Sequence, residues 1–319
     1  MAAMVRSRRL VLPSGLTLHG LEWGTDDPAL DHTVLLLHGF LENAWAWEET
    51  VAAGLLGRFH LVAADFRGHG DSDRVGPGGN YGFSDHLADL HELIPLVARQ
   101  RLSIVGHSMG GAVGGLYAGV QPDRISRLAI LEGTGLPKPA WAGPARVARW
   151  LQERERVRER PQRNYATLEE AAARLRERER VRERPQRSYA TLEEAAERLR
   201  QNDPLLRKEL ALRLAEKGTV RGTDGRLRFK HDPRLAAGRP CGFDVEMARR
   251  FWAEVRCPIL IVEGDRSELR LPTEEAQRRW SAFPKWKSVL LPEAGHMMQR
   301  HQPEALARIL LEFLTEAPG

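Results

Sequence analysis

Short apolar runs alternate with helical patterns in both flanks of the chain, and this alternation is the strongest constraint on its fold. In residues 1–135 the predicted buried strands are Thr33–Leu37, Leu61–Asp65, Leu102–Val105 and Leu128–Leu131, and the predicted helices between them are Trp45–Leu56, Ser84–Ala98 and Met109–Val120. Strands that alternate with helices form βαβ units, whose strands run parallel. The sequence therefore predicts an α/β protein built on a mostly parallel sheet.

Four more strands extend this sheet. Arg9–Leu12 and Leu16–Trp23 flank the turn signal Pro13-Ser14-Gly15, which predicts a hairpin. Near the C-terminus the alternation resumes, and its elements are the strand Pro258–Val262, the helix Thr273–Ser281, the strand Ser288–Leu291 and the helix Pro303–Leu314. The prediction is an eight-stranded sheet flanked by helices.

The stretch between these flanks contains no convincing strand. We therefore predict a core made of residues 1–134 and 256–319, interrupted by a helical cap at 135–255. Such a cap would cover the carboxyl edge of the sheet, where α/β folds keep their sites. The cap contains a 24-residue tandem repeat, in which 153–176 recurs as 177–200 with two differences. We interpret the repeat as a duplication that adds one helix, from Leu168 towards Arg184, to a surface cap.

Each copy of the repeat also carries a helix-start signal. Thr167 with Glu170, and Thr191 with Glu194, have the spacing of a capping box.

The charge balance does not favour a nucleic-acid surface. Of 48 basic residues 42 are arginines, and many alternate with glutamates, as in Glu153–Arg160. A nucleic-acid patch needs unopposed positive charge with aromatic side chains among it. We therefore expect no nucleic-acid partner.

Cysteine usage and hydropathy indicate a cytoplasmic protein. Two cysteines, Cys241 and Cys257, do not make a disulfide framework in a chain of 319 residues. The charged N-terminus is not followed by an apolar segment of signal-peptide length, and no apolar run approaches a membrane span. We expect a monomer or homodimer that acts on a small molecule.

The run Gly106-His107-Ser108-Met109-Gly110 contains the candidate nucleophile, Ser108. It follows a predicted buried strand and precedes a helix rich in small residues, which is the context of a nucleophile elbow. There the serine lies on a strained strand-to-helix turn, and the helix N-terminus stabilises negative charge. This context is stronger evidence than the five-residue pattern alone.

An oxyanion hole needs two backbone donors. We expect the N–H groups of Met109 and Phe40, the latter in the loop after the strand Thr33–Leu37, and Leu41 is the less favoured alternative to Phe40. Five neighbouring residues are candidates to line the substrate pocket: His38, Gly39, Leu41, Trp45 and His107.

The candidate base is His296, which follows a C-terminal strand in the loop that begins at Pro292. This agrees with the order serine, acid, histidine along the chain that accompanies a nucleophile elbow.

Four segments together resemble the α/β-hydrolase superfamily: His38–Phe40, Asp65–Ser72, the Ser108 elbow and Gly295–Met297. The resemblance is closest to the capped branch that contains epoxide hydrolases, haloalkane dehalogenases and carboxylesterases, and it is similar to the serine hydrolase-like proteins. It implies an α/β-hydrolase fold, an architectural role for Asp65–Gly70, and hydrolysis of an ester or a related acyl compound. Epoxide hydrolases and haloalkane dehalogenases use an aspartate nucleophile, so serine at position 108 argues against both activities.

The acid of the triad has three candidates. Many members of the family carry aspartate where this sequence has Ser267, and a subset places the acid one residue later, at Glu268. Some capped relatives supply the acid from the turn that here contains Glu132. We prefer Glu268, then Glu132, then Asp265.

The sequence thus predicts a carboxylesterase-type serine hydrolase that works without a metal or an organic cofactor. A cofactor-free haloperoxidase or perhydrolase and a C–C bond hydrolase use the same triad and remain alternatives. A non-catalytic small-molecule-binding protein of the same fold is the alternative from another class.

Overall fold

One eight-stranded sheet organises the protein. The structure is a computed structural model that describes residues 5–24, 27–76, 79–137, 144–158, 187–237 and 242–316. The strands of the large sheet are β1 (Arg6–Val11), β2 (Thr17–Trp23), β3 (His32–Leu37), β4 (His60–Ala64), β5 (Arg101–His107), β6 (Arg127–Leu131), β9 (Ile259–Gly264) and β10 (Trp286–Leu291), and a separate pair is β7 (Thr219–Arg221) and β8 (Leu227–Phe229).

The order across the large sheet is β1-β2-β4-β3-β5-β6-β9-β10. β2 pairs antiparallel with β1 and with β4, and every other pairing is parallel. The predicted hairpin is confirmed, because Gly15 turns the chain with a φ of +86° and its N–H donates to the Leu12 carbonyl at 2.8 Å. The fold class read from the sequence is therefore confirmed.

The described helices are α1 (Glu48–Thr50), α2 (Phe83–Val97), α3 (Met109–Val120), α4 (Pro144–Arg158), α5 (Leu192–Asn202), α6 (Lys208–Gly218), α7 (Val245–Trp252), α8 (Thr273–Trp280), α9 (Met298–His301) and α10 (Pro303–Thr315). Around α1 the predicted single helix is irregular: a 3-10 turn at Ala44–Trp47 precedes it and a π-helical turn at Val51–Leu55 follows it. None of the described helices is long and apolar enough to cross a membrane.

Alternation along the buried strands divides the core into two layers. On β3, Leu35 and Leu37 face one cluster, whereas Val34 and Leu36 face the other. Helices α2, α3, α7 and α8 cover the first face, and α10 with the segment around α1 covers the second. Since successive strand residues point to opposite faces, a strand covered on both sides must be apolar throughout. This is why the central strands appear in the sequence as continuous apolar runs.

The insertion, defined here as residues 135–255, lies between β6 and β9. The expectation that it contains no strand is wrong, because β7 and β8 form an antiparallel pair and Tyr189 bridges to Leu227. Each of the two strands has three residues, too few to show a period-2 pattern in the sequence.

Only part of the tandem repeat lies in the described residues. The capping signal is confirmed in the second copy: Thr191 Oγ1 accepts a hydrogen bond from the Glu194 N–H at 3.2 Å and begins α5. The Glu194 carboxylate returns to the N–H of Ala190 at 2.7 Å. The predicted helix from Leu168 towards Arg184, and the signal at Thr167, lie outside the described residues.

Close packing of α3 against α7 predicts the effect of Gly119→Ala. A Cβ at Gly119 would lie 2.1 Å from the Phe251 carbonyl oxygen, and backbone cannot yield as a flexible side chain does. Alanine gains about 1 kcal/mol of helix propensity, but overpacking costs up to ~3 kcal/mol. We expect a net loss of about 2 kcal/mol in the free energy of unfolding, measured by urea denaturation.

Gly218→Ala is the matched control, also in a helix. A Cβ there would meet Asn43 Nδ2 at 3.4 Å, an ordinary contact, so its stability should not fall. Equal stability of the two variants would contradict the packing argument.

Candidate active site

Ser108 occupies the turn between β5 and α3 in a strained conformation. Its φ of 49° and ψ of −112° are unusual for a residue with a side chain. Its N–H donates to the Leu131 carbonyl at 2.8 Å, which holds the turn against the end of β6. Strain of this kind costs about 1–3 kcal/mol and persists only where the surroundings enforce it.

Two glycines make the turn possible. A Cβ at Gly110 would lie 2.3 Å from the Leu37 carbonyl oxygen, and one at Gly106 would lie 2.5 Å from the Gly110 backbone. The start of α3 therefore passes directly over the ends of β3 and β5. This close approach places Ser108 at the carboxyl edge of the sheet, as the sequence predicts.

A continuous chain of hydrogen bonds joins Ser108, His296 and Glu132. Ser108 Oγ lies 3.1 Å from His296 Nε2, and His296 Nδ1 lies 2.7 Å from Glu132 Oε2. The side chain of Glu132 is 3% exposed, whereas that of His296 is 19% exposed. A buried carboxylate thus holds one ring nitrogen while the other faces the hydroxyl.

The preference for Glu268 as the partner of His296 is corrected by this geometry. Glu268 is exposed on the loop after β9, and Asp265 is exposed with its Oδ1 3.2 Å from the N–H of Ala294. Ser267, at the position where many relatives carry aspartate, donates its hydroxyl to Glu132 Oε2 at 2.7 Å. The loop after β9 therefore supplies a hydrogen-bond donor to Glu132, the carboxylate that contacts His296.

Hydrogen bonds keep Glu132 ionised. Burial raises the pKa of Glu132, but hydrogen bonds from His296, from the Gly264 N–H and from Ser267 outweigh it, so the pKa lies below its ordinary value. A carboxylate that stays charged can hold the imidazole in one tautomer and stabilise the imidazolium.

Register explains why Glu132 reaches the site. His107 on β5 pairs with Leu131 on β6, so Glu132 follows β6 beside the Ser108 turn. The predicted strand ends place Ser108 and Glu132 each just after a strand. They indicate that the two residues are close only once the pairing of β5 with β6 is known.

A cavity of about 1220 Å³ lies over this hydrogen-bonded chain. Ser108, Glu132 and His296 line it together with Phe40 and Met109, the two predicted oxyanion donors. Met109 is the first residue of α3, so its N–H lies at the helix end that attracts negative charge.

Only part of the predicted pocket lining faces this cavity. Gly39 and His107 line it, but His38, Leu41 and Trp45 do not. His38 is buried, and its Nδ1 lies 2.7 Å from the Gly39 carbonyl while its Nε2 accepts from the Phe66 N–H at 3.0 Å. It therefore supports the backbone of the loop after β3 and does not line the cavity.

The other two residues lie on different surfaces. Leu41 faces a small pocket of about 30 Å³, and the Trp45 ring lies 4.7 Å from Lys217 Nζ of the insertion.

A buried carboxylate, Glu42, connects three segments around the cavity, and the sequence analysis missed it. Its Oε2 accepts from the Gly39 N–H at 2.8 Å and from His107 Nδ1 at 2.6 Å. Its Oε1 accepts from Gln299 Nε2 at 3.0 Å and from Arg300 Nη2 at 2.5 Å. Glu42 thereby ties together the loop after β3, the end of β5 and the segment after His296.

His107 extends this network to His296. Its Nε2 lies 2.8 Å from the backbone carbonyl of His296, and its Nδ1 faces Glu42. His107 thus connects the Glu42 carboxylate to the backbone of the loop that carries His296. Burial raises the pKa of Glu42, but Arg300 and His107 outweigh it and hold the pKa well below its ordinary value.

His19, Asp65 and Asp71 are the one group of potential metal ligands found close together among the described residues. Hydrogen bonds already engage its central carboxylate: Asp65 accepts from the N–H groups of Ala44 and Asp71 at 2.6 and 2.9 Å, and lies 2.7 Å from His19 Nδ1. These bonds fit the architectural role expected for this turn better than a metal site.

Comparison with protein families identifies a match over most of the chain. The model of the alpha/beta hydrolase family matches residues 34–309, which includes Ser108, Glu132 and His296. A curated serine hydrolase-like protein of Danio rerio is 27% identical over 315 residues, which cover 96% of this chain and 87% of the relative.

Solved structures agree on the fold. A thioesterase domain from the curacin biosynthetic pathway superposes with a TM-score of 0.76 at 24% identity and covers 97% of this chain and 99% of that one. An esterase from Mycobacterium tuberculosis superposes with a TM-score of 0.71 at 19% identity and covers 99% and 93%.

The Glu42 network predicts a large loss of stability in Glu42→Gln. The amide keeps the shape of the side chain but leaves the buried charge of Arg300 without its counterion. Breaking a buried pair in this way costs about 3–5 kcal/mol, which urea denaturation at pH 7 measures. Asp123→Asn is the control, since Asp123 and Arg256 form an exposed pair with 78% and 67% exposed side chains. That change should cost less than about 1 kcal/mol.

The same comparison has a defined pH dependence. The folded pKa of Glu42 lies below its ordinary value of 4.5. The contribution of the ionised Glu42 to the free energy of unfolding is therefore fully present above pH 4.5 and is lost as the pH falls towards the folded pKa. The stability gap between wild type and Glu42→Gln should shrink below pH 4.5, and a gap that grows on acidification would contradict the charge assignment.

Proposed function

The chain belongs to the alpha/beta hydrolase family, and from that premise we propose that it is a serine hydrolase that cleaves small-molecule carboxylic esters. The observation that carries the proposal is the hydrogen-bonded chain Ser108–His296–Glu132 at the floor of a large cavity. The serine hydrolase-like relative and the esterase and thioesterase structures support the same class of chemistry.

The first half-reaction is acylation. His296 Nε2 accepts the proton of Ser108 while the hydroxyl oxygen attacks the ester carbonyl, and Glu132 stabilises the resulting imidazolium. The N–H groups of Phe40 and Met109 donate to the oxyanion. Collapse of the tetrahedral intermediate transfers the proton from His296 to the leaving alcohol.

The second half-reaction is hydrolysis of the acyl-enzyme. His296 takes a proton from water, the water oxygen attacks the acyl carbonyl, and the returned proton restores Ser108. The Glu132–His296 bond keeps the ring in the tautomer that both halves require.

The cavity supports a substrate that is uncharged and largely apolar. Apolar side chains from the core and the insertion line it, among them Phe40, Phe83, Met109, Val147, Leu235 and Phe243. Four of the charged lining residues pair with one another: Arg278 pairs with Glu246 and Glu275, and Arg279 also pairs with Glu275. A volume of about 1220 Å³ leaves room for an acyl chain well beyond acetyl.

Ser108→Ala tests the nucleophile. We expect loss of fluorophosphonate labelling and a fall in kcat for p-nitrophenyl esters of about 10³-fold or more, because the attacking oxygen is gone. Ser288→Ala, an exposed serine on β10, is the control and should label and turn over like wild type. A wild-type protein that neither labels nor hydrolyses any ester from acetate to octanoate would refute the proposal.

A parallel assay of acetate-dependent bromination separates ester hydrolysis from the perhydrolase alternative. Esterase activity without bromination supports the proposal, whereas bromination that exceeds ester turnover would favour the perhydrolase.

Glu132→Ala tests the acid. We expect kcat to fall by about 10³–10⁴-fold, since His296 loses the group that fixes its tautomer, whereas Glu268→Ala should stay within twofold of wild type. Ser267→Asp in the Glu132→Ala background should recover part of the loss, because the hydroxyl of Ser267 lies 2.7 Å from the acid's Oε2. A larger loss in Glu268→Ala than in Glu132→Ala would restore the preference for Glu268.

A further inference from the structure

His301, five residues after His296, connects the insertion to the loop that carries His296. Its Nε2 lies 2.8 Å from Asp203 Oδ1, and its Nδ1 accepts from the N–H of Gly295 at 3.0 Å. Asp203 follows α5 of the insertion, and Gly295 directly precedes His296. We propose that Asp203 and His301 are positioning residues that set the place of His296 relative to Ser108; this inference rests on the proposed function.

The direction of both hydrogen bonds is determined by chemistry. The Gly295 N–H can only donate, so His301 Nδ1 holds a lone pair and Nε2 holds the proton of the neutral ring. That proton points at a carboxylate oxygen, which fixes both the tautomer and the ring orientation. Asp203 therefore acts on His301 as an orienting carboxylate acts on a histidine in a triad.

The Asp203–His301 pair is well enclosed. The side chains of His301 and Asp203 are 4% and 10% exposed. Low exposure strengthens a hydrogen bond and makes it sensitive to loss of a partner. Asp203 Oδ2 has no hydrogen-bond partner among the described residues, although it is buried. A buried carboxylate oxygen without a partner costs stability, so the fold retains Asp203 at a cost.

The insertion also touches the peptide before His296. A Cβ at Gly295 would lie 3.1 Å from His301 Cε1 and 3.2 Å from Leu205 Cδ1. The backbone at Gly295 is thus confined between the imidazole and an apolar side chain of the insertion. Movement of the insertion away from the core would release the Leu205 contact and the Asp203–His301 hydrogen bond, and His296 lies one residue after Gly295.

Only the second copy of the tandem repeat leads into Asp203. That copy ends at Arg200, within α5, and is followed by Gln201, Asn202 and Asp203. The position equivalent to Asp203 after the first copy is Glu179. The helix of the second copy therefore delivers the carboxylate that holds His301.

Kinetics of Asp203→Ala and Asp203→Asn test the proposal. We expect Asp203→Ala to lower kcat for a p-nitrophenyl ester, and the rate of fluorophosphonate labelling, by about tenfold, with KM within twofold. Asparagine still accepts a hydrogen bond from His301 Nε2, so Asp203→Asn should stay within threefold of wild type. A purely structural role would lower the melting temperature of Asp203→Ala and leave kcat of the folded enzyme unchanged.

Arg207→Ala is the matched control on the same segment of the insertion. Arg207 pairs with Glu49 of the core at 2.6 Å, but its side chain is 58% exposed and the pair does not reach the His296 loop. Its kcat should stay within twofold of wild type. If Arg207→Ala loses as much as Asp203→Ala, the effect is general docking and the proposal is overturned.

A double-variant cycle tests whether the two residues act as one unit. His301→Ala alone should lower kcat about tenfold, and Asp203→Ala should add nothing in that background. Losses that multiply, or a rise in KM at constant kcat, would overturn the proposal. Every one of these experiments requires a wild-type protein that labels at Ser108. Absence of labelling counts against the proposed function. A labelled wild type with a fully active Asp203→Ala counts against the positioning role alone.

Discussion

The geometry of the site depends on the hydrogen bonds that the buried carboxylate of Glu42 accepts. A charge taken out of water must be matched by donors, and Glu42 is matched by four. These donors come from the loop after β3, from β5 and from the segment that follows His296. Satisfying one charge therefore brings the candidate oxyanion loop, the nucleophile turn and the base loop to one place. His107 completes the arrangement by holding the carbonyl of His296 at 2.8 Å.

Sheet architecture supplies the other half of the arrangement. Ser108 and Glu132 follow the adjacent parallel strands β5 and β6, so their spacing is set by backbone pairing in the middle of the sheet. His296 lies on a loop and needs additional contacts to be held, which Glu132, His107 and the Gly295–His301 bond provide. The site thus combines two groups held by strand ends with one group held by a network of side chains.

The sequence predicted the large elements well, because burial on both faces produces apolar runs and amphipathic helices produce clear periods. It also predicted the elbow at Ser108 and the loop of His296, which are local patterns. It placed Glu268 before Glu132 as the acid, because the choice depends on which strand end adjoins the elbow and on what Ser267 contacts. Glu42 and Asp203 were not found at all, since their partners are distant in the chain: 257 residues separate Glu42 from Gln299. The strands β7 and β8 were not predicted, because a strand of three residues is too short to show alternation of apolar and polar residues.

Glu132, the carboxylate that contacts His296, follows β6, so the turn after β9 does not have to supply a carboxylate. Gly264 and Ser267 still hold Glu132, but the stretch from Glu268 to Arg270 is exposed and contributes no side chain to the hydrogen-bonded chain Ser108–His296–Glu132. Leu269 lines the cavity, so this stretch contributes to the shape of the pocket and not to its carboxylate. The stretch also holds the hydroxyl donor of Glu132 in place, because the N–H groups of Leu269 and Arg270 donate to the side-chain and backbone oxygens of Ser267 at 3.2 and 3.3 Å.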